Sequence, residues 1–140
     1  KSILTPFTFL VAVSPEEYEK RFERLKARLD ARGLDAVILC GPENQYWLTG
    51  YETTGFHSFP QALIATAAAL VTRQLEVENA TDNAYRLPAH GYQDDESPGT
   101  AIAKGLLDLG LGAKSVGVEK KVPWLITDVF ENLVRAAPSA

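Results

Sequence analysis

Residues 33–51 read GLDAVILCGPENQYWLTGY, and this stretch decides the fold. Its apolar run, Ala36 to Cys40, is unbroken and lies between Gly33 and the pair Gly41-Pro42. A run in which apolar and polar residues do not alternate is typical of a strand that is covered on both faces. The stretch therefore predicts an interior strand of a sheet that contains parallel strands.

A short helix and a loop follow this strand. Residues 43–48 combine aromatic and aliphatic side chains and stop at Gly50, which predicts the helix. We expect its aromatic pair, Tyr46 and Trp47, to lie in the core, because apolar elements flank the helix. Residues 51–58 contain a further glycine and predict a loop.

The helix before the strand has the clearest pattern in the chain. Ser14 predicts the N-cap, Pro15 the first helical position, and Glu17 the partner of Ser14 in a capping box. The helix is predicted to run to Arg32 and to end at Gly33. One face carries an apolar stripe, namely Tyr18, Phe22, Leu25 and Leu29.

Two strands, 59–66 and 69–73, follow the loop and predict a hairpin. The link Ala67-Ala68 contains no Gly, Asn or Asp, which tight hairpin turns favour. We therefore expect either an unusual turn or residues missing from the sequence near 67–69, and we favour missing residues. Pro60 at the start of the first strand indicates an edge position or a bend.

The remaining elements alternate between helix and extended structure. The pattern predicts helices at 74–84, 97–109 and 127–136, a polar extended segment at 90–95 and a strand at 115–119. This alternation predicts the α/β class, with a mixed, mostly parallel sheet and helices on both of its faces.

Charge and composition limit the partners. The net charge is −4 and Lys and Arg are not clustered, so we expect neither nucleic acid nor a membrane surface as a partner.

The single cysteine, Cys40, indicates a reducing, cytoplasmic setting. Residues 1–13 are interpreted as an N-terminal edge segment or partly added sequence, because they lack the cleavage site of a targeting signal. The chain contains no methionine, so we expect it to be part of a longer polypeptide.

No stretch of the sequence forms a recognisable catalytic or metal site. The two histidines, His57 and His90, lack the spacing of a metal-ligand motif. The acidic run 94–96 is interpreted as a solvated turn, and Cys40 as inert packing. Residues 41–44 follow a strand and open a helix, as a phosphate-binding turn does, but they lack its further glycines and its lysine.

The order of the segments resembles the N-terminal domain of the creatinase and prolidase family. The most specific match is YWLTGY at residues 46–51, which is similar to the family's aromatic-Leu-Thr/Ser-Gly-aromatic segment. Further matches are SPEEY at 14–18, ARGLDA at 31–36, the strand and turn at 37–44, ALVTR at 69–73 with LE at 75–76, GY at 91–92 and VGVE at 116–119. The resemblance covers residues 14–140 and implies one domain with a ribonuclease H-like fold.

Members of this family have a second, C-terminal domain with the pita-bread fold, which holds two divalent metal ions. The resemblance implies that this catalytic domain is absent here, so we expect the chain alone to be inactive and to hold no cofactor. The parent protein would be a metal-dependent hydrolase, either an Xaa-Pro peptidase (a prolidase or aminopeptidase) or a creatinase-like enzyme. It would break a C–N bond with a metal-activated water. The partners of this domain would be its own catalytic domain and a second copy in a homodimer.

The resemblance also implies a functional loop, because the family's N-terminal domain places a loop near the active site of the neighbouring subunit. The loop after Gly50 is the candidate, with Tyr51, Phe56 and His57 as substrate-proximal residues. Local packing of Phe56 and simple exposure of His57 are the alternative for this loop. For the whole chain, the alternatives are a stand-alone interaction module and a small-ligand-binding α/β domain.

Overall fold

The computed structural model describes residues 13–66, 68–85, 87–122, 125 and 127–137. The helices are α1 (Pro15–Asp30), α2 (Pro42–Thr49), α3 (Val77–Asn83), α4 (Pro98–Asp108) and α5 (Thr127–Ala136). The strands are β1 (Ala36–Leu39), β2 (Ala62–Ala65), β3 (Ala69–Arg73), β4 (Ala89–Tyr92) and β5 (Val116–Val118). Two short 3₁₀ turns, Thr54–His57 and Gln74–Glu76, precede β2 and α3. The predicted α/β class is confirmed.

The five strands form one sheet in the order β4-β3-β2-β1-β5. β1 runs parallel to β5 and β3 runs parallel to β4, whereas β2 is antiparallel to both of its neighbours. Four of the five strands therefore point the same way, which confirms the predicted mixed, mostly parallel sheet. β1 is paired on both edges, and this interior position explains the unbroken apolar run at 36–40.

Helices cover both faces of the sheet, as predicted. The alternation along β2 divides the faces, because Ala62 and Ile64 contact one apolar cluster while Leu63 and Ala65 contact the other. The first cluster is completed from α4 and α5 by Ile102, Ala103, Leu106, Val129 and Leu133. The second is completed from α1, α2 and α3 by Phe22, Leu25, Leu48 and Ala80. We call these the α4/α5 face and the loop face, since the second carries the loop that follows α2.

On the α4/α5 face the two helices approach each other closely. A Cβ atom on Gly99 would lie 2.3 Å from the carbonyl oxygen of Val129 and 2.9 Å from the backbone nitrogen of Leu133. Real Cβ contacts are longer than this, so the approach requires glycine at this position. The close fit explains why α4 and α5 pack as one layer against the sheet.

The predicted N-cap and stripe of α1 are present, but the Glu17 carboxylate accepts hydrogen bonds from Arg21 and Arg24 instead of closing a capping box with Ser14. The Ser14 hydroxyl accepts a hydrogen bond from the backbone N–H of Glu17 at 3.2 Å, and Gly33 after the helix has φ +65°. Leu29 is fully buried, whereas the other three stripe residues are half-buried. The helix therefore lies against the rim of the loop face rather than deep within it.

Three element predictions need correction. β2 begins at Ala62 instead of residue 59, because the chain bends at Phe59 and Pro60 has no N–H to donate to a ladder. β2 lies between β1 and β3, so the edge position suggested for Pro60 is wrong and the bend is right. Residues 74–76 form a 3₁₀ turn, so the predicted helix at 74–84 starts later, at Val77.

The link between β2 and β3 has a strained backbone. Thr66 has φ +94° and Ala68 has φ +47°, a left-handed region that costs a residue with a side chain roughly 1–2 kcal/mol. Ala67 lies outside the described residues, so the expected missing residues stay a prediction. The segment predicted at 1–13 also lies outside them, apart from Val13. Within the part of the chain that the structure describes, no helix has the length and apolar character needed to cross a membrane.

Candidate functional site

The loop after α2 begins at a position that requires glycine. Gly50 has φ +73°, and its backbone N–H donates to the carbonyl oxygen of Tyr46 at 2.7 Å, which ends α2. A Cβ atom here would lie 2.5 Å from the hydroxyl oxygen of Tyr18 on α1. The left-handed backbone and this close contact both exclude a side chain, so the predicted start of the loop is confirmed.

The tip of the loop is held together by local contacts within the 3₁₀ turn Thr54–His57. The Thr53 hydroxyl accepts a hydrogen bond from the backbone N–H of Gly55 at 3.0 Å. A Cβ atom on Gly55 would lie 2.3 Å from two ring atoms of Phe59, so the Phe59 ring packs directly on this glycine. The turn is therefore a small unit with its own hydrogen bonds, joined to α2 and β2 by short connecting segments.

The three candidate site residues occupy two different environments. Phe56 and His57 lie side by side on the turn, with ring centroids 3.8 Å apart and ring planes tilted by 40°. Phe56 is half-buried and His57 is exposed. Tyr51 is only 1% exposed and belongs to the apolar cluster of the loop face. The structure thus brings Phe56 and His57 together and places Tyr51 in the core where the loop begins.

Two open clefts flank the loop. One has a volume of about 290 Å³, and its lining includes Tyr51, Phe56, Glu43, Thr53 and Gln61. The other has a volume of about 650 Å³, and its lining includes Glu52, Glu76, Asn79 and Asn83. Tyr46 borders both clefts. The two clefts therefore meet at Tyr46 and at the first residues of the loop, and the smaller one is the more apolar.

The prediction that Tyr46 and Trp47 lie in the core is wrong. Tyr46 is 55% exposed and Trp47 is 44% exposed. α2 turns Gln45, Leu48 and Thr49 inward instead. Neighbouring positions on a helix point about 100° apart, so an inward face built from these three leaves the aromatic pair outside.

Two arginines of α1 cover the exposed Trp47 ring. The guanidinium carbons of Arg21 and Arg24 lie 5.0 and 5.8 Å from its centroid, within the range of a cation–π interaction. Arg21 also donates a hydrogen bond to the carbonyl oxygen of Trp47 at 2.6 Å. Cationic side chains therefore hold Trp47 against α1.

A polar cluster surrounds the hydroxyl of Tyr51. This hydroxyl lies 3.2 Å from Oε1 of Gln61 and 3.3 Å from Oε2 of Glu76. Burial raises the pKa of Tyr51 to about 12, and the negative charge of Glu76 contributes to the rise. The side chain is therefore a neutral hydrogen-bond donor at physiological pH.

Two buried glutamines extend this cluster to the sheet. The amide nitrogen of Gln61 donates to Oε1 of Gln45 at 2.7 Å, and the amide nitrogen of Gln45 donates to the carbonyl oxygen of Leu39 at 2.9 Å. Gln45 is 1% exposed and Gln61 is 3% exposed. Reasoning from the sequence missed both residues. Gln61 carried a signal, since an amide next to the apolar run 62–65 indicates a buried hydrogen bond, whereas Gln45 follows Glu43 and Asn44 and carried none.

The turn at Gly41 binds a carboxylate of the chain itself. Oε2 of Glu119 accepts hydrogen bonds from the backbone N–H groups of Cys40 and Gly41 at 3.0 and 2.9 Å. Oε1 of Glu119 accepts a hydrogen bond from Nδ2 of Asn44. These backbone N–H groups are the ones that a phosphate would use. The small-ligand alternative at this turn is therefore disfavoured, because its anion position is filled by Glu119.

Other residues considered from the sequence lie away from the loop. The run 94–96 is exposed, and Asp94 pairs with Arg73, which holds the pKa of the Asp94 carboxyl below its usual range. Cys40 is buried, and burial raises the pKa of its thiol to about 12. Among the described residues, no group of three or more His, Cys, Asp or Glu side chains is placed to hold a metal ion.

Comparison with known proteins connects this fold to a family. The profile described as Creatinase/Prolidase N-terminal domain matches residues 21–140. Ectoine hydrolase from Halomonas elongata is 27% identical over 136 residues, covering 89% of this chain and 34% of that protein. An uncharacterized hydrolase/peptidase from Sinorhizobium fredii is 28% identical over 137 residues, covering 90% of this chain and 35% of that protein. The chain thus spans about a third of the length of the curated relatives that it matches.

Solved structures share the architecture. A proline dipeptidase from Streptococcus pneumoniae matches with a TM-score of 0.70 and 26% identity, covering 86% of this chain and 87% of that chain. The creatinase/prolidase N-terminal domain of an X-Pro dipeptidase from Streptococcus pyogenes matches with a TM-score of 0.70 and 24% identity, covering 85% and 88%. The profile, the relatives and the fold all agree, and the chain therefore belongs to the creatinase/prolidase N-terminal domain family.

Proposed function

We propose that this chain is the non-catalytic N-terminal domain of a metal-dependent C–N hydrolase, of the Xaa-Pro peptidase or creatinase-like kind. In that protein the domain supports a homodimer and shapes the active site of the neighbouring subunit. The observation that carries the proposal is the pair Phe56 and His57, which lie side by side on a 3₁₀ turn whose Phe56 lines an open cleft. A stand-alone interaction module stays the alternative, and the coding sequence downstream of residue 140 distinguishes the two.

The chemistry of the loop fits a wall of a substrate pocket. An apolar ring excludes water from one side of a bound substrate, and an imidazole beside it offers a single polar contact. The names of the relatives point to substrates with a C–N bond, since one is a proline dipeptidase and another an ectoine hydrolase. We assign a substrate of this class to the parent protein rather than to the chain alone.

The two divalent metal ions of the proposal do not fit the residues described here, because these residues do not bring three ligands together. We therefore place the metal ions in a catalytic domain that this chain would accompany. That domain and a second subunit would be the partners of the surface formed by Tyr46 and the loop. The lone, buried Cys40 is compatible with the cytoplasmic setting that we propose for the parent protein.

The decisive experiment replaces His57 with alanine in the longer protein. A lost substrate contact of about 1.4 kcal/mol in the transition state lowers kcat/KM about tenfold, and we expect a loss of at least this size. The free energy of unfolding should change by less than about 0.5 kcal/mol, because His57 is exposed. Steady-state kinetics on an Xaa-Pro dipeptide and a urea titration measure the two quantities.

His90→Ala is the matched control, since His90 is the other histidine and lies exposed on β4, where it lines a cleft beside α4 on the α4/α5 face. It should leave kcat/KM at the wild-type value. If His57→Ala also keeps wild-type kinetics while remaining folded, His57 has no role at a substrate site.

A further inference from the structure

Both ends of the loop meet at one buried hydrogen bond. Tyr51 stands at the start of the loop and Gln61 at its end, ten positions later, and their side chains are 3.2 Å apart between the hydroxyl oxygen and Oε1. Neither side chain is more than 3% exposed. The nine residues between them, 52–60, include the turn with Phe56 and His57. The contact therefore closes the loop at its base.

We propose that Tyr51 and Gln61 are positioning residues that fix both ends of the loop 52–60 and thereby set the orientation of Phe56 and His57. This positioning role of Tyr51 differs from the substrate contact predicted from the sequence. Its catalytic consequence rests on the proposed function of the loop, whereas its structural consequence can be measured in this chain alone.

The base of the loop is tied to three separate elements. Gln61 bonds to Gln45 on α2, and Gln45 bonds in turn to the carbonyl oxygen of Leu39 on β1. The Tyr51 hydroxyl contacts Glu76, which lies on the 3₁₀ turn before α3. The sheet and two helical segments therefore hold the same pair of side chains.

Two further hydrogen bonds hold the backbone next to these anchors. Nδ2 of Asn79 donates to the carbonyl oxygen of Glu52 at 3.1 Å, and also to Oε2 of Glu76 at 3.0 Å. At the other end, the hydroxyl of Tyr92 on β4 donates to the carbonyl oxygen of Pro60. The first and the last residue of the loop are thus each fixed to the domain.

The anchors matter because the turn itself is stabilised locally. Its bonds from Gly55 and Ser58 connect residues within the loop and do not set its direction relative to the sheet. Hydrogen bonds in a buried, low-dielectric site are strong, and a partner left unpaired there is costly. Removing one anchor should therefore loosen the whole loop, and the turn, no longer fixed at its base, should open more often.

The first test is hydrogen exchange in this chain with Tyr51→Phe, which removes one hydroxyl and keeps the ring. Loss of a buried hydrogen bond should speed the exchange of the Gly55, Ser58 and Phe59 amides by about 2- to 12-fold. The matched control is Tyr85→Phe, which removes a tyrosine hydroxyl that bonds to Glu19 on α1. The control should leave these amides unchanged.

A second pair of variants keeps the test decisive if Tyr51→Phe folds poorly. Glu76→Gln keeps an oxygen acceptor for Tyr51 and should preserve loop exchange, whereas Glu76→Ala should speed it. Unchanged loop exchange in both Tyr51→Phe and Glu76→Ala would overturn the inference. Equal acceleration throughout the sheet would overturn it as well, because the residues would then support the fold in general.

Kinetics of the longer protein test the catalytic consequence. If Tyr51 acts through the loop, Tyr51→Phe should lower kcat/KM, and its effect should largely vanish when combined with His57→Ala. Fully additive effects would overturn the claim that Tyr51 acts through His57. Faster loop exchange combined with wild-type kinetics would support the anchoring and refute the proposed function of the loop.

Discussion

The two faces of the sheet are built from different chemistry. The α4/α5 face is mostly aliphatic, with side chains such as Ile64, Ile102 and Leu106 each no more than 2% exposed, and its cluster also contains the Tyr92 ring. The loop face combines aliphatic packing with the buried polar groups Tyr51, Gln45 and Gln61. Apolar packing holds the first face, whereas on the second face buried hydrogen bonds also hold the base of a loop.

The difference separates stability from positioning. Apolar packing is not directional and scales with buried area, so it fixes where a helix lies but tolerates small shifts. Hydrogen bonds between buried groups have narrow distance and angle limits and therefore fix orientation. We expect changes on the α4/α5 face to alter the free energy of unfolding most, and changes at the base of the loop to alter loop geometry.

The largest stability effect is expected for Leu106→Ala on the α4/α5 face. Leu106 is 1% exposed, and truncation of a buried leucine costs about 2–5 kcal/mol. Phe22→Ala on the loop face should cost less, about 1–2 kcal/mol, because that ring is half-buried at the rim. Urea denaturation of both variants measures the difference in the free energy of unfolding. An equal or larger loss for Phe22→Ala would remove the contrast between the two faces.

A smaller effect is expected at Glu119, which joins the end of β1 to α2. Glu119→Ala leaves the N–H groups of Cys40 and Gly41 without this acceptor and should cost about 1–3 kcal/mol. Glu119→Gln keeps an oxygen acceptor and should cost less. Urea titrations of the two variants test the order, and identical losses would show that the acceptor oxygen is not what stabilises this turn.

Two buried acidic side chains, Cys40 on the α4/α5 face and Tyr51 on the loop face, have the smallest effect on the pH dependence of unfolding at neutral pH. Their effect on the free energy of unfolding grows at alkaline pH. Burial is the main cause that raises the pKa of Cys40 from 9.0 to about 12 in the folded chain. Burial likewise raises the pKa of Tyr51 from 10.0 to about 12. Above pH 9 the unfolded chain loses the thiol proton while the folded chain keeps it. The folded state then binds more protons, so the free energy of unfolding falls as pH rises from about 9 towards 12.

Replacement of Cys40 by alanine isolates this contribution. The variant should lose stability at every pH because of the deleted sulfur, but its decline between pH 9 and pH 10 should be shallower than that of the wild type. Urea titrations at pH 8, 9, 10 and 11 give the slopes. Parallel curves would mean that the Cys40 thiol does not titrate differently in the two states.

Most of the fold could be predicted because local patterns agree with tertiary structure. The cap at Ser14, the left-handed Gly33 and the apolar run at 36–40 each have one strong physical cause, and each is confirmed. The predicted start of β2 is too early, because the apolar pattern does not indicate that the chain bends at Phe59 before the strand can pair with its neighbours. The error is therefore one of boundary and not of element type.

The site was predicted less completely. The loop and its start at Gly50 follow from the sequence, as does the proximity of Phe56 and His57, which are neighbours in the chain. The inward position of Gln45 and the outward position of Tyr46 do not follow from the sequence. A helix of eight residues has too few turns for its apolar period to define a face.

By itself the sequence determined the α/β class, the order of the elements and the loop that follows α2, because capping, periodicity and glycine positions act over a few residues. Tertiary structure alone decided which residues meet across long separations. Glu119 reaches the Gly41 turn from 78 positions away, and Tyr51 reaches Glu76 from 25. Such contacts depend on how strands pair and helices pack, and no local pattern encodes that geometry.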